Sequence, residues 1–514
     1  MTSMSRTWKQ IRSVVFVALV VEIGIAAPSS LADWPTPHGN LQRSGFYDGD
    51  FVPRQPLKLV WRKELHTELT GPRCEVVVGD ELAFMGSYAG RVHAWDAKTG
   101  EQRWTIQTDG PIGHSPMFAD GILYVGSMDA HLYAIHARDG RILWRFQASE
   151  GIFTSPVVHE GMVLFGARDG VFYAVDRRDG REVWRWRTGA HILTTASITP
   201  DGRRVVFASE DMHAYCLDVR SGQLVWKSRK MHGLSVRDYW PTIVGDVAIL
   251  TTNPVHAFHD VLDTHQNLLI RRTGFDGKDK RYIPCSPGDV EAEQDFIVDF
   301  LKNNPTHQTT YAFRLDDGHE PWIAGIFYTA GLHNPPSPPC FNPRTGEVFV
   351  NVRSAYTTWD GGGEVRPLTG IGRLDLTTGR VALIGHGYKS KEPQRPPGRK
   401  DMPWMQFSTI GDETQTLACA PGMLYSIHQG FIGSLDLETG LCRNLFGKRD
   451  TYGGFYGPGN FGWATDGGYE KARQAGQPFG LVNEWHGPAR AMASISDGHV
   501  YFPVGSQVIC VKGG

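Results

Sequence analysis

Cysteine is sparse in this chain, and its spacing argues against several kinds of site. The seven cysteines form no CxxC and no CxxCH pattern, which disfavours a zinc ribbon and an attached c-type haem. An odd number leaves at least one thiol unpaired unless the chain dimerises. Cys285 and Cys340 both lie in Pro-rich irregular sequence and form the candidate disulfide pair. Cys216, Cys419 and Cys510 are expected to be buried single thiols that act as small apolar residues.

A large excess of charge of either sign is also absent. The 52 Lys and Arg residues nearly balance the 54 Asp and Glu residues, for a net charge of −2. This balance gives no electrostatic reason to expect nucleic acid or an anionic membrane as the partner.

Hydrophobic sequence long enough to span a membrane is lacking too. Residues 1–32 carry three basic residues, then the apolar run Val14 to Ile25, interrupted by Glu22, then small residues before Asp33. This order is typical of a secretory signal peptide, and the run is short for a spanning helix. The alternative is a retained anchor. We expect a periplasmic or secreted monomer, not stably inserted in a membrane after cleavage.

The chain does contain a repeat of about 40 residues, the period of propeller blades and solenoid units. Each copy has a small residue, usually Asp two places on, a Gly four further and a Trp four beyond that. The clearest copies run from Ala94 to Trp104, Ala134 to Trp144, Ala174 to Trp184 and Cys216 to Trp226. The Gly is expected to supply a positive φ at a tight turn, and the Trp to wedge against the neighbouring blade.

The repeats predict an all-β, eight-bladed propeller of four-stranded antiparallel blades occupying residues 33–514. Between Ser115 and Gln147, four short β-branched and aromatic runs are separated by turn residues. Weaker copies at 312–322, 372–383 and 433–442 bring the number of such corners to seven. The chain then ends one strand short, and Leu57 to Leu65, with Trp61, is expected to complete blade eight and close the ring.

Insertions interrupt the repeat on one face of this ring. The turns between the first and second and between the third and fourth strands of each blade are short. The long insertions all belong to the other face; they are 253–309, 353–370, 385–405 and 447–487. Because long loops on a rigid scaffold commonly carry function, this face is the expected binding face for a small polar ligand or a protein partner.

Residues at the entrances to the inner strands should converge at the channel mouth on the same face. The candidate ligand- or cofactor-binding set is polar and of mixed charge: Arg73, Glu75, His114, Thr154, His191, Thr195, Arg237, Asp238, Trp240, His333, Asn334, His486 and Arg490. Such a set suits a polar, anionic or quinone-like ligand, with Arg as a bidentate donor. The alternative is that these side chains simply solvate a water-filled channel.

The blade-five insertion holds two further signals. Its first part carries donor groups suited to a metal ion, although their spacing matches no defined motif and a solvated His-rich loop is the alternative; these are His256, His259, Asp263 and His265. Its second part predicts one amphipathic helix with Asp289 as N-cap, stopped by Pro305 and packed onto the propeller as part of a lid. The expected apolar face is Phe296, Ile297, Phe300 and Leu301.

The blade consensus resembles the pyrroloquinoline-quinone (PQQ) type of repeat, and Asp33 to Phe46 resembles the opening of exported PQQ-like propellers. The resemblance implies an eight-bladed propeller. The family includes quinoprotein alcohol and glucose dehydrogenases and a non-enzymatic bacterial outer-membrane assembly lipoprotein. The alcohol dehydrogenases place two adjacent, disulfide-bonded cysteines against the quinone and hold Ca²⁺ with Glu, Asn and Asp. This chain has no adjacent cysteines, and Glu75, Asp238 and Asn334 match only in residue type and region.

Two hypotheses of function follow. In the first, an exported propeller binds a ligand or protein partner through the face with the insertions and has no redox chemistry of its own. In the second, a divergent quinoprotein uses PQQ and Ca²⁺ in the channel to oxidise an alcohol or a sugar. The missing adjacent cysteines favour the first hypothesis, while the His, Arg and Asp residues of the face keep the second open.

Overall fold

Each sequence repeat folds into one antiparallel sheet whose successive strands are neighbours, and eight such sheets make up the propeller. The structure is a computed structural model. It describes residues 34–54, 57–65, 68, 74–256, 287–326, 335–359, 365–384, 416–428, 431–438, 442–443, 493–504 and 507–513. Residues 1–32 and the insertions 385–405 and 447–487 lie outside this described part, so the predictions made for them stay predictions.

Strand β1 (Leu57–Glu64) precedes blade one in the chain. Blades one to four then follow the predicted plan, four short strands to a blade. They are β2 (Val77–Gly79), β3 (Leu82–Gly86), β4 (Arg91–Asp96) and β5 (Gln102–Gln107); β6 (Met117–Ala119), β7 (Ile122–Gly126), β8 (His131–His136) and β9 (Ile142–Gln147); β10 (Val157–His159), β11 (Met162–Gly166), β12 (Val171–Asp176) and β13 (Glu182–Arg187); β14 (Ser197–Ile198), β15 (Arg204–Ser209), β16 (His213–Asp218) and β17 (Leu224–Lys227).

The second half of the ring is less regular. Its elements are β18 (Thr242–Val244), β19 (Val247–Thr251), helix α1 (Pro287–Asn303), a 3₁₀ turn (Pro305–His307) and β20 (Thr310–Arg314); β21 (Cys340–Asn342), β22 (Glu347–Trp359), β23 (Val365–Leu374) and β24 (Val381–Ile384); β25 (Thr416–Ala420), β26 (Met423–His428), β27 (Phe431–Asp436) and β28 (Cys442–Arg443); β29 (Ser494–Ser496), β30 (His499–Val504) and β31 (Gln507–Gly513).

Blade five departs from the predicted four strands, since its sheet within the described residues contains only β18, β19 and β20. In place of the fourth strand, residues 319–324 have no regular secondary structure. Pro321 lies in this segment and has no backbone N–H to give to a strand ladder. The following Trp322 still docks on the next blade, where its indole N–H donates to the carbonyl of Leu376 at 2.6 Å.

The ring closes as the sequence predicted. Strand β1 pairs antiparallel with β31, so blade eight has the order β1-β31-β30-β29. Trp61 lies opposite Cys510 in this ladder and donates its indole N–H to the carbonyl of Ala97 in blade one at 2.8 Å. The strand from the start of the chain therefore joins the last blade to the first.

The Trp of each regular repeat docks on the Gly of the next one. These glycines have φ near +70°, and an added Cβ on any of them would meet the preceding blade's indole at 2.5–2.8 Å. The pairs are Trp61 with Gly100, Trp104 with Gly140, Trp144 with Gly180, Trp184 with Gly222, Trp226 with Gly318 and Trp322 with Gly379. The prediction of positive φ and of Trp wedging is confirmed. The glycine is also needed for a second reason, because the indole of the preceding blade occupies the space that a side chain would take.

Helix α1 forms within the blade-five insertion but differs from its prediction in detail. It begins at Pro287, so Asp289 lies in its first turn and is not the N-cap. Ile297 and Leu301 are buried, whereas Phe296 is 40 % exposed. The buried Gln294 accepts a hydrogen bond from the backbone N–H of Val381 at 3.0 Å. The helix therefore packs against β24, the outer strand of blade six, and these contacts are not those of a lid over the channel.

The insertion at 353–370 is a continuation of the blade-six sheet. Strands β22 and β23 pair antiparallel from Val348 opposite Leu374 out to Trp359 opposite Val365, with one irregularity between Ser354 and Thr357. The described parts of this insertion, 353–359 and 365–370, therefore extend an existing hairpin.

The disulfide prediction is wrong in its pairing. Cys340 bonds to Cys419, which lies 79 positions further along the chain, with Cα atoms 6.4 Å apart. Both residues lie on inner strands, β21 and β25, which are neighbours in the narrow middle of the ring. Cys419 is therefore not the single thiol that was expected, and Cys285 lies outside the described residues. Cys216 and Cys510 are buried thiols outside any disulfide, as predicted.

In the part of the chain that the structure describes, no helix is both long enough and apolar enough to cross a bilayer.

Candidate functional site inside the ring

Residues 34–47, here called the inner segment, run around the inside of the propeller. Their carbonyl oxygens accept hydrogen bonds from backbone N–H groups of the inner strands. The pairs are Val78 to Trp34 (2.9 Å), Phe118 to Pro35 (2.7 Å), Ile198 to Leu41 (2.9 Å), Ile243 to Gln42 (2.9 Å), Phe341 to Ser44 (2.7 Å) and Cys419 to Gly45 (2.7 Å). The segment therefore lines the inside of the ring along its inner strands.

Tight turns allow the inner segment to follow this circular path. The N–H of Gly39 donates to the carbonyl of Thr36 at 3.0 Å, and that of Gly45 donates to the carbonyl of His38 at 2.9 Å. Both glycines have positive φ, +84° and +66°, which a residue without Cβ adopts at no steric cost. A Cβ on Gly45 would also lie 2.4 Å from Nε2 of His38. Glycine is thus required at this position on two grounds.

Glu75, at the entrance to the inner strand of blade one, binds the inner segment. Its Oε2 accepts the indole N–H of Trp34 at 2.9 Å and the backbone N–H of His38 at 2.9 Å. The side chain is fully buried, and this burial raises the pKa of the carboxyl to about 7, although the two hydrogen bonds and the charge of Arg43 act in the opposite direction. Glu75 is therefore held by its own chain.

Arg43 is the buried cation of the same site. Its Nε donates to the carbonyl of Ala196 at 3.2 Å, and its Nη1 donates to the carbonyl of Pro37 at 2.8 Å and to the hydroxyl of Thr36. Burial lowers the pKa of the guanidinium to about 9, and the charge of Glu75 opposes this shift. Among the described residues, Nη2 of Arg43 and Oε1 of Glu75 have no hydrogen-bond partner. A buried water is the group that such orphaned atoms usually hold.

His38 joins the inner segment to three blades. Its ring nitrogens lie 2.6 Å from the carbonyl oxygen of Arg43 and 3.0 Å from that of Leu417 in blade seven. The indole N–H of Trp240 points at its Nδ1 from 3.3 Å, and the two rings have centroids 5.3 Å apart. Burial lowers the pKa of His38 to about 4, although the two carbonyl oxygens act in the opposite direction.

His114 packs edge-on against Trp240, with ring centroids 6.0 Å apart. Its Nδ1 lies 3.2 Å from the hydroxyl of Ser155, and the backbone N–H of Ser155 in turn donates to the hydroxyl of Thr195 at 3.0 Å. Thr154 is buried nearby in sequence and donates to the carbonyl of Gly166 at 2.9 Å. These polar groups of blades two, three and four therefore bond to one another and to protein backbone.

The rest of the predicted channel-mouth set does not join this cluster. Asp238 is buried and accepts a hydrogen bond from Nδ2 of Asn253 at 2.8 Å. The side chain of Arg237 is 58 % exposed, with its Nε 3.6 Å from a carboxylate oxygen of Asp238. His191 is exposed and contacts the carbonyl of Arg168 through its Nδ1. The remaining predicted residues lie outside the described part of the chain; they are Arg73, His333, Asn334, His486 and Arg490.

One of the four predicted metal ligands is described. His256 stacks on His307 with ring centroids 3.6 Å apart, and its Nε2 lies 3.0 Å from the hydroxyl of Thr306. Partial burial, with the charge of His256 as the smaller cause, lowers the pKa of His307 to about 4. Across the described residues, no group of three or more His, Cys, Asp or Glu side chains could hold a metal ion. The other three candidates, His259, Asp263 and His265, lie outside those residues.

The described residues do not fit a quinone with Ca²⁺ inside the ring. A calcium site needs several oxygen ligands free to turn towards the ion. Oε2 of Glu75 instead accepts two hydrogen bonds from the inner segment, and Asp238 accepts one from Asn253. We therefore derive no chemical step through these groups.

Sequence reasoning missed the inner segment as part of the site. Residues 34–47 were noted only for a family-like opening, whereas Trp34, His38 and Arg43 are the chain's own partners of the inner strands. The available signal was a cluster of Pro, Gly, His, Arg and Trp ahead of the first strand. Such a cluster does not reveal which of eight blades it contacts.

Comparison with known proteins supports the fold. The structure is similar to a quinohemoprotein alcohol dehydrogenase from Comamonas testosteroni, with a TM-score of 0.55, 12 % identity, and coverage of 94 % of this chain and 81 % of the other. It is also similar to the computationally designed Ika8 protein, with a TM-score of 0.52, 12 % identity, and coverage of 89 % and 100 %. For BamB from Moraxella catarrhalis the TM-score is 0.41, with 14 % identity over 72 % and 94 % of the chains.

Sequence comparison assigns the family. No curated protein sequence matches the chain. The family model described as outer membrane protein assembly factor BamB matches residues 58–153 and 112–324, which together are slightly more than half of the chain. The matched residues contain the regular Ala-Asp-Gly-Trp repeats and the Trp–Gly contacts of blades one to four. The chain therefore belongs to the outer membrane protein assembly factor BamB family of PQQ-like repeat propellers.

Proposed function

We propose that this chain is an exported binding module that engages a protein partner through the face carrying its insertions, with no redox chemistry inside the ring. The observation that carries the proposal is the inner segment, which fills the middle of the propeller and binds Glu75. Because the inner segment lies inside the ring, the outer surfaces remain available to bind a partner. Of the two kinds of partner that the sequence left open, this favours a protein over a small ligand.

The base of the blade-five insertion offers a surface for such a partner. Leu234 is 57 % exposed, and its backbone N–H donates to the carbonyl of Asn253, where the insertion begins, at 2.9 Å. Val255 is exposed two residues further on. Exposed apolar side chains close to long insertions are a common feature of protein-binding surfaces.

Export is part of the proposal, with the periplasm or the external medium as the location. The disulfide between Cys340 and Cys419 is of a kind that persists in oxidising compartments and is rare in the cytosol. The signal-like residues 1–32 and the family's description as an outer membrane assembly factor agree with this location. We expect a monomer, with neither nucleic acid nor membrane lipid as its partner.

Site-specific crosslinking tests the choice of face. A photo-crosslinking amino acid at Leu234 is compared with one at Arg181, whose side chain is 80 % exposed on a turn of the opposite face. We expect a discrete crosslinked species in intact cells from position 234 and none from 181, identified by mass spectrometry as one recurring protein. Equal crosslinking from both positions, or none from either, would contradict the proposal.

Cofactor titration tests the absence of redox chemistry. The purified protein is mixed with PQQ and Ca²⁺, and bound quinone absorbance and dye-linked oxidation of alcohols and sugars are followed. We expect neither saturable binding nor activity. Saturable quinone binding with turnover would replace the proposal by the quinoprotein dehydrogenase hypothesis.

A further inference from the structure

Blades of a propeller are separate sheets, so the backbone hydrogen bonds of one blade do not hold the next. The Trp–Gly contacts supply side-chain packing between neighbours, and β1 joins blade eight to the start of the ring. The inner segment adds something different, because one short stretch of backbone bonds to inner strands of six blades. It thus connects blades that do not touch one another.

The contacts of the inner segment follow the ring in chain order. Trp34 meets blade one, Pro35 blade two, Leu41 and Gln42 blades four and five, and Ser44 and Gly45 blades six and seven. For blade three the contact is apolar, since Leu41 packs against the cores on both of its sides. The phenol oxygen of Tyr47 then accepts the backbone N–H of Asp497 in blade eight at 3.0 Å. Residues 34–47 therefore make one circuit of all eight blades.

Polar anchors hold the circuit at several points. Arg43 and Glu75 are fully buried, and both bind the first residues of the inner segment. Arg43 donates hydrogen bonds to Thr36 and Pro37. Glu75 accepts hydrogen bonds from Trp34 and His38. Withdrawal of the segment would leave Glu75 without these two donors in the middle of the ring. Since a buried carboxyl without hydrogen-bond donors is costly, the segment is expected to leave as a whole or not at all.

We propose that the inner segment is an internal strap that closes the eight-bladed ring, occupying the channel as a built-in ligand. The strap holds blades one to eight together from inside, and the blades separate only when it leaves. The eight blades are therefore held together by the chain itself, without a bound molecule. This inference shares one observation with the proposed function, the position of the inner segment, but goes beyond it, because it concerns how the ring is held together and not what the outer surface binds.

Native-state hydrogen exchange of the full chain tests the strap without any substitution. The backbone N–H groups that bond to it are those of Val78, Phe118, Ile198, Ile243, Phe341 and Cys419. We expect these six to respond to low denaturant with one common opening, because one element protects them all. Six unrelated exchange rates, each following its own blade, would overturn the proposal.

A matched pair of glycine variants tests the same point. Gly45→Ala places a Cβ 2.4 Å from His38 at a φ of +66°, whereas Gly346→Ala has a similar φ of +73° and nothing within 4 Å. We expect Gly45→Ala to speed exchange at Val78 and Ile198 about tenfold, the factor set by the free energy of the shared opening. Gly346→Ala should leave both amides unchanged.

Exchange in the blades far from Gly45 decides whether the strap acts as one element. If Gly45→Ala speeds exchange only at Cys419 and Phe341, next to the substitution, the strap does not act as one element and the proposal fails. Should Gly45→Ala not fold, Thr36→Val removes one hydrogen bond of Arg43 with little change of shape. Its expected readout is the same acceleration at Val78 and Ile198, with Gly346→Ala again as the control.

Discussion

The indole of Trp104 lies across Gly140 of the next blade, with its nearest ring atom 2.8 Å from the position of an added Cβ. Its N–H donates to the carbonyl of Ala137 at 2.7 Å, three residues before that glycine. The same contact recurs around six blade junctions. One aromatic residue and one absent side chain thus define the distance between neighbouring blades.

Gly140→Ala is expected to destabilise the protein more than Gly161→Ala. The two glycines have nearly equal φ, +74° and +76°, but Gly161 has nothing within 4 Å of an added Cβ. The shared backbone strain costs about 1 kcal/mol, and overpacking against Trp104 should add about 2 kcal/mol at position 140. Thermal unfolding of the two variants measures the difference. Equal midpoints would mean that the indole moves aside freely.

Glu75→Gln is expected to flatten the dependence of stability on pH. Because burial raises the pKa of Glu75 to about 7, the folded state holds a proton that the unfolded state releases near pH 4.5. The contribution of Glu75 to stability is therefore largest below pH 4.5 and falls as pH rises to about 7, by roughly 3 kcal/mol at most. Gln keeps an acceptor for Trp34 and His38 but does not titrate.

Urea unfolding from pH 4.5 to 7.5 checks this prediction. His38 acts in the opposite direction, because its pKa is lowered to about 4 and stability is lost as pH falls from 6.5 towards 4. The informative quantity is therefore the difference between the wild type and Glu75→Gln at each pH. A difference that does not change with pH would show that Glu75 is ionised throughout.

Removal of the disulfide is expected to weaken the inner ring between blades six and seven. Cys340→Ser with Cys419→Ser should lower stability by about 3 kcal/mol, the usual effect of losing a cross-link over a long loop. Thermal midpoints measured with and without a thiol reductant check it, since the wild type should respond and the double variant should not. Peptide mapping of the non-reduced wild type that joins Cys340 to another cysteine would contradict the pairing.

We expect the side chains on one face of helix α1 to hold it against blade six. Ile297→Ala removes a buried side chain against blade six and should cost about 3 kcal/mol. Phe296→Ala, one residue earlier but 40 % exposed, should change stability by less than about 1 kcal/mol. Thermal unfolding and limited proteolysis of both variants provide the measurement. The reverse order would mean that the helix is rotated on its support.

Blade five and the helix show how far sequence patterns reach. The pattern from Ala312 to Trp322 located the blade and its docking tryptophan correctly, because the packing of that Trp is repeated from blade to blade. It did not reveal that the outer segment forms no strand, although Pro321 removes a donor there. Likewise, the sequence placed the start of α1 within three residues but included Phe296 in its buried face, since the pattern does not show which surface the helix meets.

The candidate site was less accessible to sequence reasoning. Glu75, His114 and Trp240 were chosen because they precede inner strands, and the structure places Glu75 and Trp240 against the inner segment and His114 against Trp240. Their partners were not found, because Trp34 is 41 residues from Glu75 and His38 is 202 residues from Trp240. A hydrogen bond over such a separation leaves no mark on either local sequence.

The sequence by itself determined the all-β class, the eight blades, the closure of the ring by Leu57–Glu64 and the role of the Gly and Trp of each repeat. All of these follow from local alternation, turn residues and a period of about 40 residues. The tertiary structure alone decided that residues 34–47 bond to the inner strands from inside the ring, that Cys340 pairs with Cys419 and that the buried Arg43 and Glu75 both bind residues of this segment. These contacts depend on which segments the closed ring brings together in space, and the order of residues along the chain does not encode that proximity locally.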